Sequence, residues 1–458
     1  MLPKAVSEYL DAHREQSLAR LREFVAFPSV ANSRPDDCDR CAEWLVGQLE
    51  ALGLAARLEG GGGGRPNVIA SAHVRDDAPT VLLYGHYDVQ PAEPLEQWRT
   101  DPFEAVVRDG CVWGRGSSDD KGQLAAHLAA IEAWQRAGGG LPVNVKLLAE
   151  GEEEIGSPHM EAFLSARAAE LSADAAVISD GEFFAEGVPA ITYALRGLAY
   201  VEVTFHGPSV DIHSGVHGGA VTNPINALAR LVAALHDDAG RVTLEGYYDD
   251  VVPLGDEERR QWAQLGLDEG EYTRSLGLEA LGGGEKAGFT PLERRWGRPT
   301  LDCNGIVGGY TGAGSKTIIP ASASVKVSMR LVPDQDPKKV VAAFERFVAA
   351  HTPPGIRAEM RLNAEARPVL LSRQSPAMDA ARAALVEAFG RQPGMIRCGA
   401  SVPITELIQR LLGLDAVLMG FGLPDDNIHS PNERFRLEQF HGAARAIAAM
   451  LGNLAAGA

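Results

Sequence analysis

The chain has 458 residues, and its 43 Lys and Arg against 61 Asp and Glu give a formal net charge of −18. This acidic balance argues against a nucleic acid or an anionic membrane as partner, because binding to phosphate groups requires a basic surface. No segment approaches the roughly 18 consecutive apolar residues that a membrane span needs. The N-terminal residues 1–27 also lack the apolar centre of a secretory signal. A soluble cytoplasmic enzyme is therefore expected.

Cys38 and Cys41 form a Cys-x-x-Cys pair in a predicted helix that runs toward Leu45 and Leu49. Five cysteines are an odd and low number for so long a chain, which disfavours a disulfide framework. Because no second cysteine pair completes a zinc ligand set, two buried small side chains are favoured over a redox or zinc motif.

Residues 80–180 alternate short apolar runs with helical segments, which is typical of an α/β unit with parallel strands. The predicted strands are 80–84, 143–148 and 175–178. Between the first two, a helix with one buried stripe is predicted from four apolar residues at helical spacing: Leu124, Leu128, Ile131 and Trp134.

A different pattern begins near residue 197. Strands and helices are predicted there at 200–205, 223–236, 325–331 and 338–350. The order of these elements predicts a small α+β sandwich of the ferredoxin-like type, separate from the first sheet. Residues 244–298 are acidic, glycine-rich and weakly periodic, so we expect an insertion or an extended loop.

A helix at 378–389 and a strand at 416–419 resume the first pattern. At roughly 150 residues per domain, the length alone suggests about three domains or two large ones. The return of the first pattern favours two. We predict an α/β domain with a mostly parallel sheet flanked by helices, formed by 1–196 and 368–458 and interrupted by a smaller α+β domain at 197–367.

Polar side chains follow each apolar run of the first domain. Histidines and carboxylates stand after the four predicted strands, at His86 and Asp88, at Glu150 and Glu152 to Glu154, at Asp180, and at His429. Ligands bind outside the carboxyl ends of the strands in an open parallel sheet, so these side chains should converge. Several converging carboxylates need cations to offset their repulsion. Two histidines with an excess of carboxylates suit two zinc, manganese or cobalt ions that share a bridging ligand.

The motifs around these positions resemble the dinuclear metallopeptidases of aminoacylase and carboxypeptidase-G type, and within them the cytosolic nonspecific dipeptidase and carnosinase branch. The matching segments occur in the family's order over nearly the whole chain. They are Tyr84-Gly-His-Tyr-Asp-Val-Gln-Pro91, Trp113-Gly-Arg-Gly-Ser-Ser-Asp-Asp-Lys-Gly122, Glu150-Gly-Glu-Glu-Glu-Ile-Gly-Ser157, Asp211-Ile-His-Ser-Gly-Val-His-Gly-Gly219 and Asn427-Ile-His-Ser430.

This resemblance implies a ligand set for two divalent metal ions. Asp119 would bridge them, with His86 and Asp180 on one metal and Glu154 and His429 on the other. The resemblance also implies that a hydroxide bridging the metals attacks the peptide carbonyl.

Further roles follow from the same resemblance. Glu153 would be the general base, and Asp88 would orient the His86 imidazole. The family has a cis peptide bond after its bridging aspartate, which here would join Asp119 to Asp120.

The smaller domain would act as a lid and a dimerisation domain. In dimeric relatives the histidine at the position of His213 reaches the partner's active site, so a homodimer with His213 acting in trans is implied. Arg330 and Thr317 resemble the family's substrate-binding pair, since a guanidinium matches a terminal carboxylate. Ser401 lies in a glycine-containing loop that resembles a substrate loop. Cys398 stands just before that loop, where the dipeptidase branch often has Glu.

Hydrolysis of dipeptides is the function that the motifs favour. An N-acyl-amino-acid deacylase or a glutamate-type carboxypeptidase remains open, because the metal centre is common to all of them. A noncatalytic binding protein is a remote alternative that predicts loss of a ligand or of the base, and none is missing.

Overall fold

The computed structural model describes residues 2–60, 63–283, 288–399 and 402–457. The chain forms two compact units. The first comprises Met1–Tyr193, Leu371–Ile396 and Val402–Ala458, and the second comprises Ala194–Leu370 and Arg397–Ser401. The junctions lie at 193 and 370, where the sequence predicted 196 and 367. The short segment 397–401 in the second unit was not predicted.

The first unit contains a large mixed sheet. Its strands, in spatial order, are Ala55–Glu59, Asn67–Ala72, Asn144–Glu150, Thr80–His86, Ala175–Ile178, Asp415–Leu418 and Ala190–Leu195. The third to the sixth of these are parallel, and the flanking pairs are antiparallel. The predicted α/β class with helices around a largely parallel sheet is confirmed.

Strands of two to five residues complete the sheets near this unit. A three-stranded sheet has the order Arg434–Arg436, Cys111–Trp113 and Val106–Arg108. Gly394–Cys398 pairs with Ala190–Leu195, and Val369–Leu370 pairs with the last two residues of that same strand.

Eight α-helices accompany the large sheet within the described residues. They are Lys4–Ala12, Arg14–Val25, Pro35–Ala51, Lys121–Ala137, Met160–Leu171, Pro376–Phe389, Pro403–Leu407 and Leu437–Ala456. A five-residue π-helical turn, Ile408–Leu412, and two 3-10 turns, Leu95–Gln97 and Glu153–Ile155, lie between them. None of the described helices combines the length and hydropathy needed to cross a bilayer.

The helix Lys121–Ala137 departs from its prediction. It is buried on every side from Lys121 to Trp134, so the expectation of a single buried stripe is wrong. The reason is that four elements pack around it: Lys4–Ala12, Arg14–Val25, Leu437–Ala456 and the strand Thr80–His86. A helix enclosed in this way needs small residues more than it needs polar ones, and alanines fill its other faces.

Cys38 and Cys41 lie fully buried in the helix Pro35–Ala51 as free thiols, which confirms their interpretation as small core side chains. Burial raises the pKa of the Cys38 thiol to about 12. A thiol with so high a pKa is a poor nucleophile and a poor metal ligand at neutral pH.

The second unit is built on a four-stranded antiparallel sheet. Its strands, in spatial order, are Thr300–Gly308, Ser322–Leu331, Gly197–His206 and Arg357–Ala366. The helices Pro224–Ala234 and Pro337–Ala350 share one apolar core with a single face of this sheet. The chain order strand, helix, strand, strand, helix, strand is that of the ferredoxin-like fold, and the predicted sandwich is confirmed.

The remaining elements of this unit are short. Ile212–His213 pairs with Ile318–Ile319, and the turn of helix Ser214–His217 follows directly. Where an insertion or an extended loop was expected at 244–298, the structure has the helices Asp256–Gln264, Glu269–Ser275 and Pro291–Trp296. Helices this short show little periodicity, and end caps such as the Thr290 and Glu293 capping box stabilise them.

Candidate metal centre

The four parallel strands deliver polar side chains to one edge of the sheet. In their register His86 lies opposite Glu150, and Tyr84 lies opposite Ile178, so Asp180 follows two residues further on. Strand Asp415–Leu418 runs parallel to these and leads to the loop that carries His429. The carboxyl ends of parallel strands lie at the same edge of the sheet, so residues far apart in sequence meet here.

Five side chains at this edge form two overlapping groups. The potential ligand atoms of His86, Asp119 and Asp180 lie within 4.8 Å of one another, and so do those of Asp119, Glu154 and His429. The Asp119 carboxylate belongs to both groups, with Oδ1 3.1 Å from His86 Nε2 and Oδ2 2.9 Å from His429 Nε2. Glu154 Oε2 lies 3.2 Å from His429 Nε2.

These groups have the donor types and the spacing of a divalent-metal site. Zinc binds histidine nitrogen and carboxylate oxygen at about 2.0–2.2 Å, so ligand atoms around one ion lie only a few ångströms apart. One carboxylate with an oxygen toward each group is suited to bridge two ions.

The electrostatics of the protein without metal point the same way. Burial would raise the pKa of Asp119, but hydrogen bonds from His429 and His86 hold that pKa well below its usual range. The hydrogen bonds with Asp119 and Glu154 raise the pKa of His429 to about 10. Burial raises the pKa of Asp180 to about 7. Without cations, protonated imidazoles therefore offset the carboxylates, and cations that bind here would displace those protons.

Asp88 positions its neighbours through two different groups. Its backbone carbonyl lies 3.0 Å from His86 Nδ1, which leaves Nε2 of that ring toward Asp119. Its carboxylate accepts hydrogen bonds from the backbone N–H groups of Glu153 and Glu154, at 3.1 Å and 3.0 Å. The carboxylate oxygen itself is 3.5 Å from Nδ1, so the carbonyl makes the shorter contact with the imidazole.

The three successive glutamates have separate environments. Glu152 Oε2 is 2.7 Å from His159 Nδ1, and Glu152 belongs to neither of the two ligand groups. Glu154 faces His429 and accepts a hydrogen bond from Gln90 at 2.9 Å. Burial, followed by the charge of Asp180, raises the pKa of Glu153 well above its ordinary value. A carboxylate of raised basicity beside the metal groups is suited to accept a proton.

Sequence reasoning missed Glu433, which fixes the loop that carries Asp119. The Glu433 carboxylate is fully buried and accepts hydrogen bonds from the backbone N–H groups of Gly116, Ser118 and Asp119, at 2.9, 2.9 and 3.1 Å. Arg115 Nη1 donates to it at 2.8 Å. Since Glu433 lies more than 300 residues from these donors in the chain, no local pattern in the sequence could indicate the contact.

The bond between Asp119 and Asp120 is a cis peptide, as the resemblance implied. The Asp120 carboxylate is fully buried and accepts a hydrogen bond from the His86 backbone N–H at 3.1 Å. The position of this carboxylate also explains why residue 85 is a glycine, because a β-carbon there would lie 2.8 Å from Asp120 Oδ2. A side chain at position 85 would therefore displace the carboxylate that holds the His86 backbone.

The other predicted site residues lie in the second unit. His213 is exposed, and its Nδ1 accepts a hydrogen bond from the Gly215 N–H at 2.9 Å. The Thr317 carbonyl accepts a hydrogen bond from the Ser214 N–H at 3.0 Å, next to the pairing of His213 with Ile318. Arg330 is half-buried on the strand Ser322–Leu331.

The predicted substrate loop is described only in part. Ser401 lies outside the described residues. Cys398 ends the strand Gly394–Cys398, and its carbonyl accepts a hydrogen bond from the Arg196 N–H at 3.3 Å.

The two ligand groups that share Asp119 fit a centre of two divalent metal ions. Residues 82–453 match peptidase family M20/M25/M40, and the chain belongs to this family. The prediction of a metallopeptidase related to the dipeptidase and carnosinase branch is confirmed.

Individual relatives are similar over almost the whole chain. A Cys-Gly metallodipeptidase of Schizosaccharomyces pombe is 32% identical over 94% of each chain. The crystal structure of human carnosine dipeptidase 1 superposes with a TM-score of 0.83 at 30% identity and covers 100% of both chains. An M20 family metallo-carboxypeptidase of Sulfolobus solfataricus has a TM-score of 0.87 at 34% identity, over 96% of this chain and 99% of that one.

Proposed function

We propose that the protein hydrolyses the amide bond of dipeptides with two divalent cations bound at the paired groups. The main support is the pair of histidine and carboxylate groups that share Asp119. Within each group, the potential ligand atoms lie within 4.8 Å of one another. Zinc or manganese, with cobalt as a third candidate, fits this mixture of nitrogen and oxygen ligands. The S. pombe and human relatives, both named as dipeptidases, support dipeptides as the substrate class.

Each residue has a role in this proposal. His86 and Asp180 would hold one cation, Glu154 and His429 would hold the other, and Asp119 would contribute to both sites. The cations, when bound, would polarise the scissile carbonyl and make a water molecule more acidic. Glu153 would take the proton of the attacking water and return it to the leaving amine, since a carboxylate beside the reacting groups can act as base and then as acid.

Substrate recognition is assigned to the predicted residues of the second unit. Arg330 would bind the terminal carboxylate of the dipeptide through two parallel hydrogen bonds. Thr317 and Ser401 would complete the contacts to the substrate. Cys398 stands where the dipeptidase branch frequently has a glutamate. The amino end of the substrate would therefore be bound differently from the way it is bound in that branch.

One assay separates dipeptide hydrolysis from its alternatives. The metal-loaded protein should hydrolyse free dipeptides faster than N-acetyl amino acids or longer peptides. Turnover restricted to N-acetyl amino acids would identify a deacylase. Preferential release of single residues from the C-terminus of longer peptides would identify a carboxypeptidase, which the similarity to the Sulfolobus enzyme keeps as the second candidate.

We also propose a homodimer in which His213 of one subunit acts at the metal centre of its partner. The Gly215 N–H donates to His213 Nδ1, so the neutral ring carries its proton on Nε2. This exposed N–H is suited to donate a hydrogen bond to the oxygen that becomes negative during attack on the carbonyl.

Mixing two inactive variants tests trans action. His213→Ala and Glu153→Gln, each inactive alone, should regain about a quarter of wild-type activity after random subunit exchange, because half of the dimers then carry one intact site of two. The measurement is dipeptide turnover after mixing, with exchange verified by mass-tagged subunits. His213→Ala mixed with itself is the control, and exchange without recovered activity would exclude trans action.

A cytoplasmic location completes the proposal. None of the five cysteines forms a disulfide in the structure, which fits a reducing compartment.

A further inference from the structure

The second unit contains a partly open cavity whose lining is strongly cationic. Its volume is about 540 Å³, within the range of sites that hold small molecules. Four arginines line it: Arg196, Arg294, Arg295 and Arg298. Asp302 is the single carboxylate of the described lining. This local excess of positive charge stands in a chain whose formal net charge is −18.

Arg196, Arg294 and Arg295 make no ion pair with a carboxylate among the described residues. Arg196 donates from Nε to the Gly399 carbonyl at 3.2 Å, and Arg294 donates from Nη1 to the Gly283 carbonyl at 3.0 Å. The buried Nε of Arg294 has no hydrogen-bond partner within the described part of the chain. Buried guanidinium groups are ordinarily paired, so these contacts leave donors unused.

Neighbouring arginines show that carboxylate partners are available nearby. Arg259 pairs with Glu293 at 3.0 Å. Glu293 directly precedes Arg294 in the short helix Pro291–Trp296. Arg397 pairs with Glu258 at 2.5 Å. Arg196, Arg294 and Arg295 thus differ from the arginines around them, because they have no such carboxylate partner among the described residues.

Aromatic rings hold two of the guanidinium groups in place. Arg295 lies over the Tyr272 ring at 4.9 Å, and Arg298 lies over the Phe289 ring at 4.7 Å. A guanidinium stacked on a ring keeps its N–H groups at the edge, where they remain able to donate. The stacking therefore orients the donors without consuming them.

The surroundings of Arg196 disfavour the charged form of its guanidinium group. Burial and the nearby positive charge of Arg330 lower the pKa of Arg196 to about 10. The group remains charged at neutral pH, and an anion beside it would relieve both effects.

We propose that this cavity is a binding site for a small oxyanion, a carboxylate or a phosphate, held by Arg196, Arg294 and Arg295. Planar guanidinium donors match the oxygens of either group in pairs. The oxyanion has two possible sources, an acidic side chain on the substrate or a free anion in solution. Only the first source rests on the proposed dipeptidase function.

Calorimetric titration of the metal-loaded protein tests the site directly. Inorganic phosphate and succinate should each bind, and the Arg294→Ala and Arg295→Ala double variant should bind them at least tenfold more weakly. Arg260→Ala is the matched control, because Arg260 is an exposed arginine on the helix Asp256–Gln264 outside the cavity lining. Since both anions also bind divalent cations, the readout is the difference between the variants. Equal affinity in the double variant and the control would overturn the proposal.

A second variant guards against misfolding of the first. Arg295→Glu changes one exposed side chain and should weaken anion binding in the same way. Anion affinity unchanged by this charge reversal would count against the site.

Kinetics distinguish the two sources of the oxyanion. The double variant should lose at least tenfold in kcat/KM for Ala-Asp relative to Ala-Asn if the cavity binds the substrate's acidic side chain. Equal effects on both dipeptides, together with loss of phosphate binding, identify a free anion as the ligand. Absence of any dipeptide turnover in the wild-type protein would refute the proposed function, while the titration would still report on the cavity.

Discussion

Glu153→Gln should lower kcat for dipeptides by about 10³-fold, within the range that general acid–base catalysis contributes. Glutamine keeps the shape of the side chain but cannot accept a proton. The two metal groups contain Asp119, Glu154 and other ligands but not Glu153, so the variant should retain its metal. Turnover of dipeptides and metal content by elemental analysis are the two measurements.

Glu152→Gln is the matched control for this experiment. Glu152 precedes Glu153 in the same acidic run, but its carboxylate contacts His159. The control should therefore keep most of its activity and all of its metal. If Glu152→Gln were instead the inactive variant, the general base would be one position earlier than we propose.

Asp119→Ala should abolish activity through loss of the metals themselves. Asp119 is the one residue common to both groups of potential ligands, so its removal weakens both sites. Partners that merely orient a ligand already change metal affinity by about 10–100-fold, and a shared ligand should exceed that effect. The expected result after dialysis is less than one metal per chain, against about two in the wild-type protein.

The effect on stability provides a second readout for the same variant. Bound metal stabilises the folded state in proportion to the logarithm of its concentration over its Kd. Added zinc or manganese should therefore raise the Tm of the wild-type protein and leave that of Asp119→Ala nearly unchanged. Asp76→Ala removes an exposed carboxylate that contacts only His73 among the described side chains, and should behave as the wild type. Two metals retained by Asp119→Ala would refute the shared ligand.

Much of the first unit could be predicted because its signals are local. Buried parallel strands are short apolar runs, and polar residues directly after them mark the edge where ligands bind. His86 and Asp180 were found in this way, and the structure brings their side chains together with Asp119. The resemblance added what local signals lack, namely which of several acidic residues pair with His429.

Other features depended on contacts that no sequence window contains. The helix Lys121–Ala137 looked amphipathic, because alanines count as neither strongly apolar nor polar in a pattern, yet neighbouring helices enclose it. The helices between 244 and 298 are too short to show a period, and their capping and packing decide them.

The sequence by itself determined the fold class and the order of the two units, because periodicity and residue type encode them within a few residues. It also placed histidines and carboxylates after the parallel strands, while the choice of ligands among them came from the family resemblance. Only the tertiary structure decided the partners of those ligands. Glu433 fixes the Asp119 loop from the far end of the chain, and Glu152 is distinguished from Glu154 solely by the side chain that each one faces. Burial and long-range pairing set these roles, because the free energy of a charged group depends on what surrounds it rather than on its neighbours in sequence.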